Sequence, residues 1–245
     1  MTHTAQRRLA RMAGLLYLII FAGGIFAQFV VRQSLIVPHD AMTTANNILA
    51  SEAFFRLGIG GDLLMLLSDV ALAVLFFVLL RPVNKTLSMM AAVFRLSQAA
   101  VIGSSLVNLF YALNLLHSTE LMTAVGAAQL MLFLNAHAIG YSVAMIFFGV
   151  NCLLTGYLVF QSGYFPKILG ILLVIAGVAY LTDSFAQVLL TDYAAYKALF
   201  ESVAIPLAVI GEFAMCLWLL IKGVKVAPQD AAIGLVTAQA KGAGA

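Results

Sequence analysis

With 245 residues, of which 63% are apolar and only 9% charged, the chain cannot cover its own surface with polar groups. A water-soluble domain carries about 25% charged side chains, so lipid must solvate this one, and the mean hydropathy of +1.05 agrees. The formal charge of +3 comes without any lysine–arginine block that would serve as a nucleic-acid surface.

The chain opens with "MTHTAQRRLARMAGLLYLIIFAGGIFAQFVV". Its basic start and long apolar run, with no small-x-small site behind them, predict a retained first span over Leu9–Val31 rather than a cleaved signal. Next comes "PHDAMTTANNILASE", with an N-cap candidate at Asp40 and Ala41, Met42, Ala45, Ile48 and Leu49 on one helical face. This spacing predicts a short amphipathic helix on the outer membrane surface. Five further spans follow over Phe54–Leu80, Leu87–Leu116, Ala127–Phe160, Ile168–Leu190 and Val203–Ile221. Each meets the length of about 20 apolar residues that a membrane helix needs. The third and fourth spans exceed that length and must tilt, bend or project. Before the sixth span, "TDYAAYKALFE" reads as a second interfacial segment, with Tyr193 and Tyr196 placed for the headgroup layer. Pro206 predicts a local kink in that span.

Basic residues set the orientation. With the N-terminus inside, Arg7, Arg8, Arg11, Arg81, Lys85, Lys167, Lys222 and Lys225 are cytoplasmic, against Arg32, Arg56 and Lys197 outside. The expected architecture is an all-α bundle of six transmembrane helices with both termini cytoplasmic. One membrane domain covers residues 1–226, and residues 227–245 form a mobile cytoplasmic tail. Cys152 and Cys216 lie inside apolar segments and read as packing residues.

The polar residues within the spans carry the functional question. Asp62 and Asp69 stand seven residues apart on the second span, almost two turns, and so share a face. A carboxylate at mid-membrane costs about 2.5–3.5 kcal/mol on insertion scales, and that face is expected to point into the bundle. Asp69 lies eleven residues above Leu80, and Arg95 lies eight above Leu87 on the antiparallel third span. The two come within one turn of the same depth, which predicts an Asp69–Arg95 ion pair. Asn151 and Glu212 fall at similar depth and complete an inner polar layer. Asp69, Asn151 and Glu212 each precede the cytoplasmic end of an even-numbered span by some three turns, a pattern that three parallel hairpins would give and that chance would also give. Asp62, Asp183, His137 and Gln28 form an expected second layer nearer the outside, with Tyr141 on the same face of span four as His137 and Asn151.

Two readings of this interior stand side by side. In one, the groups satisfy one another and fix helix register. In the other, they line a cavity for a small polar ligand, a proton or a cation, since four carboxylates face one arginine. An enzyme or metal reading would use His117, His137 and Glu120 near the outer face, but no H-E-x-x-H spacing supports it. No cofactor motif is present, and the lipid bilayer is the one partner that composition demands. The stretches "RMAGLLYLIIFAGGIFAQFVVRQSLIVPHD", "ASEAFFRLGIGGDLLMLLSDVALAVLFFVLLRPVNKTLSMMAAVFRLSQAAV" and "FFGVNCLLTGYLVFQSGYFPKILGILLVIAGVAYLTDSF" resemble a bacterial family of multi-pass membrane proteins catalogued as a domain of unknown function. The resemblance covers about Arg7 to Val224 and implies a bacterial inner-membrane protein. It brings no activity and no site residues.

Overall fold

The computed structural model describes residues 3–118, 121 and 123–224. Glu120, Lys225 and the tail 227–245 lie outside the described residues. All regular structure among the described residues is helical. The first span runs from α1 (His3–Ile25) through a π-helical stretch (Phe26–Arg32) into α2 (Gln33–Leu35). Then follow α3 (Ala41–Ala50), α4 (Glu52–Leu80), α5 (Lys85–Leu116), α6 (Ala124–Gln161), α7 (Lys167–Leu189) and α8 (Tyr193–Ile221). Six of these units are long and apolar enough to cross a membrane. At 38 residues, α6 is about 57 Å long, so it projects well past a hydrocarbon layer of about 30 Å.

Local chemistry sets the helix ends. Pro82 lies in the turn that closes α4, and the Asn84 side chain accepts the Leu87 N–H to start α5. Thr123 accepts the Gly126 N–H at the head of α6. Asp40 caps α3 twice over, accepting the Thr43 N–H at 2.9 Å and the Thr43 hydroxyl at 2.7 Å. Those bonds hold the Asp40 carboxyl below its ordinary range. A depressed carboxyl stabilises above its unfolded pKa of about 3.9, and the contribution is lost as pH falls through the lower folded value. Amide exchange at Thr43 is therefore expected to quicken only in acid, and Asp40→Ala to quicken it already at neutral pH.

Each long helix packs against its chain neighbours, and α8 returns to α1, closing a ring of six. Gly14 permits the closure: a Cβ there would sit 2.8 Å from the Leu220 nitrogen. A Cβ at Gly223 would likewise lie 3.3 Å from Arg7 Cγ, so both ends of the described chain emerge on one side. Glycines also bring α6 and α7 into backbone contact at two levels. A Cβ at Gly170 would stand 2.5 Å from the Gly156 carbonyl oxygen, and one at Gly177 would stand 2.8 Å from that of Gly149. Small residues serve this purpose in lipid, where close packing rather than water expulsion holds helices together. Gly170→Ala must push the two backbones apart. We expect a loss of about 1–3 kcal/mol, read as a lower melting temperature in detergent, whereas Gly60→Ala, with open space around it, should change little.

Two apolar cores fill the ring. One gathers Tyr17, Leu72, Phe76, Leu158, Leu173 and Met215 towards the termini. The other gathers Val31, Ile48, Phe55, Ile102, Leu109 and Leu130 at the opposite end, without any residue of α7 or α8. Accordingly, no described side chain from Tyr193 to Leu207 is buried. The expected separate segment before span six is instead continuous with it: α8 starts at Tyr193 and runs through Pro206 to Ile221.

The helix after span one forms, but it does not rest on lipid by the face expected of it. Ala45 and Ile48 are fully buried with Thr44, whereas Leu49 is exposed. The Thr44 hydroxyl exchanges hydrogen bonds with the backbone of Val37, and the Asn47 amide donates to the Leu35 carbonyl. These polar ties turn α3 onto α6, where it caps the end of the bundle opposite the termini.

Candidate interior polar site

On α4, Leu67 is 71% exposed while Asp62 and Asp69 are 1% and 2% exposed. The carboxylates face inward and the leucine faces lipid, as the insertion energies demand. Each carboxylate meets a guanidinium. Arg95 on α5 directs both Nε (2.9 Å) and Nη2 (2.5 Å) at Asp69 Oδ1, while the Gln98 amide lies 3.5 Å from Oδ2. The Arg95 guanidinium carbon lies over the rings of Tyr17 and Phe148, 5.3 Å and 5.1 Å from their centroids. Such stacking over ring faces favours a cation where water is excluded.

Asp62 has a partner that the sequence reading placed elsewhere. Arg32 was counted as an external charge, yet it is buried and grips Asp62 by Nη1 at 2.5 Å and Nη2 at 3.2 Å. Its Nε donates to Gln28. The π-helical stretch explains the placement. A wider turn brings residues five apart onto one side, so Ala27 and Arg32 are both buried there. The span also continues past Val31 to Leu35. A signal was present in "FVVRQSLIV", where apolar residues resume after Arg32 and mark it as interior to the run.

Around these pairs the other expected residues divide. His137 is buried and its Nδ1 lies 3.1 Å from the Ser105 hydroxyl. That hydroxyl also lies 2.8 Å from the Ile102 carbonyl oxygen on its own helix. The Tyr141 ring stands beside His137 at 6.3 Å. Asn151 donates to the Ala91 carbonyl at 2.8 Å and ties α6 to α5. Asp183 leaves the second layer. It sits half-exposed on α7, where it accepts the Tyr193 hydroxyl at 2.7 Å and the Gln187 amide at 3.0 Å. Gln28, although exposed as a residue, joins that layer through its side-chain oxygen, which accepts the Arg32 Nε at 2.9 Å.

Glu212 on α8 is buried and accepts the Tyr180 hydroxyl at 2.6 Å, with the Tyr17 hydroxyl facing the same carboxylate. Among the described residues it has no cation within ion-pair reach. Three buried carboxylates, Asp62, Asp69 and Glu212, therefore meet two buried guanidiniums. The Gln98 carbonyl oxygen, on the amide whose nitrogen reaches towards Asp69, is buried without a hydrogen-bond partner among the described residues.

The histidine reading does not assemble. His117 is 63% exposed and lies 3.4 Å from Glu52, while His137 is engaged with Ser105. Among the described residues no three metal-ligating side chains converge. Two shallow concavities open at the end that carries the termini. One of about 230 Å³ is lined by Thr4, Arg7, Arg8 and Arg11, and one of about 10 Å³ by Gln6, Val78, Leu79, Tyr164 and Val224. Neither is lined by a residue of the buried ion pairs.

A closed ring of six apolar helices around paired charges defines a multi-pass membrane protein. The chain belongs to the family described as Domain of unknown function (DUF4386), which it matches over residues 12–223. It is similar to an uncharacterized protein of Archaeoglobus fulgidus, at 32% identity over 166 residues, which cover 68% of this chain and 83% of the relative. That source is an archaeon, so the family resemblance does not by itself assign a bacterial membrane. No solved structure matches the chain.

Proposed function

We propose that the protein is a carrier of a small polar solute or ion, with its binding locus in the layer around Asp69, Arg95, Gln98, Tyr17 and Glu212. The observation that carries this reading is the charge imbalance of the core, three carboxylates against two guanidiniums. A purely structural network gains nothing from a surplus buried charge, because each uncompensated ion in a low dielectric is unfavourable by several kcal/mol. The unpartnered Gln98 oxygen lies in the same layer and supplies a ready acceptor. Arg7, Arg8, Arg11, Arg81, Lys85, Lys167 and Lys222 gather at the end bearing the termini, which supports a cytoplasmic assignment for that end. In a bacterial cell the membrane would be the inner one.

A second reading is a non-catalytic scaffold or accessory subunit. It draws on the two complete ion pairs and on the placement of the two concavities away from them. A thermal-stabilisation screen of the detergent-purified chain against small solutes and cations separates the two. The carrier reading expects a narrow chemical class to raise the melting temperature of the wild type and not that of Asp69→Asn. If no solute stabilises the wild type, or if Asp69→Asn responds equally, the scaffold reading takes its place.

A further inference from the structure

Glu212 and the polar side chains above it deepen the carrier reading, on which this inference rests, by naming one species that the site handles. We propose that Glu212 holds an exchangeable proton and trades it with the face opposite the termini along Tyr180 and Asp183.

Charge balance comes first. Both buried guanidiniums are committed: Arg32 to Asp62, and Arg95 to Asp69. The titratable and charged groups within electrostatic reach of Glu212 on the surrounding helices are Tyr17 on α1, Asp69 on α4, Arg95 on α5, Tyr141 and Cys152 on α6, and Tyr180 on α7, of which Tyr180 is hydrogen-bonded to it. Among them stands one cation, already matched by Asp69. A proton on Glu212 neutralises the layer, which is how an isolated buried carboxyl ordinarily resolves its desolvation. The Tyr180 hydroxyl, 2.6 Å away, suits either form, since the carboxyl keeps an acceptor oxygen after it is protonated.

The route follows from helix geometry. Tyr180 and Asp183 are three residues apart on α7, so they are neighbours on one face about 4.5 Å apart along the axis. Asp183 is half-exposed and hydrogen-bonds Gln187 and Tyr193 at the outer end of the helix. The series Glu212, Tyr180, Asp183, Gln187 and Tyr193 thus passes from the buried layer to the surface. It runs along the side where α8 buries no described side chain from Tyr193 to Leu207. Towards the termini, Glu212 has beneath it Met215, Cys216 and Leu219, all fully buried. In one transfer, a proton taken up by Asp183 from external water crosses the one-turn gap along α7 to the Tyr180 oxygen, which is the step without a direct hydrogen bond, as the Tyr180 proton moves to Glu212. Asp183 returns to carboxylate, Tyr180 remains a phenol, and Glu212 becomes a carboxylic acid.

Infrared spectroscopy of the full chain in nanodiscs near neutral pH tests this directly. We expect a protonated-carboxyl C=O band that is absent from Glu212→Gln and shifts when H₂O is replaced by D₂O. Asp183→Asn should keep the band and slow its shift by about tenfold or more. Tyr180→Phe, which also keeps the carboxyl, should slow it similarly. Glu212→Gln is nearly isosteric, and an unchanged circular-dichroism spectrum and melting profile would certify its fold. If Glu212→Gln removes a carboxylate band instead of a carboxylic-acid band, no proton resides there. If Asp183→Asn exchanges as fast as wild type, the route is wrong. If the band behaves as expected while no solute stabilises the protein, the proton site stands and the carrier reading falls.

Discussion

Arg95→Ala is expected to destabilise the bundle by about 3–5 kcal/mol, the range for stripping one partner from a buried pair. The change leaves Asp69 at 2% exposure with only the Gln98 amide, 3.5 Å away, to answer its charge. It also removes the guanidinium from over the Tyr17 and Phe148 rings, so packing is lost along with charge. Arg95→Lys should recover only part of the loss, because an ammonium has one nitrogen and cannot reproduce the two guanidinium contacts to Asp69. The double variant Asp69→Leu with Arg95→Met should melt above Arg95→Ala alone, since it removes both charges rather than stranding one. Melting temperature in detergent, with size-exclusion profiles to confirm a folded monodisperse protein, decides the matter. An Arg95→Ala protein that melts with the wild type would mean that Asp69 is not dry.

That pair was legible in the sequence because its depth could be counted from a tight turn. Arg81, Pro82 and Asn84 fix where α4 stops and α5 starts, and α-helical rise does the rest on both sides. Asn151 and Glu212 were placed at the inner level by the same counting from the terminal-side ends of α6 and α8. Counting failed wherever the outer end of a helix was misjudged. The sixth span begins at Tyr193 rather than Val203 and is tied back to Asp183 by the Tyr193 hydroxyl, so Asp183 belongs to the α7–α8 corner and not to the layer of Asp62. Leu49 failed for a different reason. Five apolar positions can share a helical face without all being buried, and the bonds of Thr44 and Asn47 to the preceding chain select the face that packs. None of those long-range partners is encoded in local periodicity.

Arg32 is the residue at which periodicity itself broke, and it gives the second large expected effect. If the π-helical register carries Arg32 inward as described, neutralising it strands Asp62, which is 1% exposed, and Arg32→Gln should lower stability by about 3 kcal/mol or more. An arginine in an outer loop would behave like Arg56, whose side chain is 51% exposed beside Glu52 and whose loss should be worth about 1 kcal/mol at most. A double-mutant cycle with Arg32→Gln and Asp62→Asn separates the two placements. The inward position requires a coupling of about 0.5–3 kcal/mol, with the double variant more stable than the sum of the single losses allows. Salt provides an independent control. Exposed charges are screened over about 8 Å at physiological ionic strength, so the Arg56→Ala effect should shrink as salt rises, while the Arg32–Asp62 coupling, shielded from solvent, should hold. Additive single variants, or a coupling that vanishes in high salt, would return Arg32 to the outer surface. Asp62 would then join Glu212 as a second buried carboxyl without a guanidinium partner.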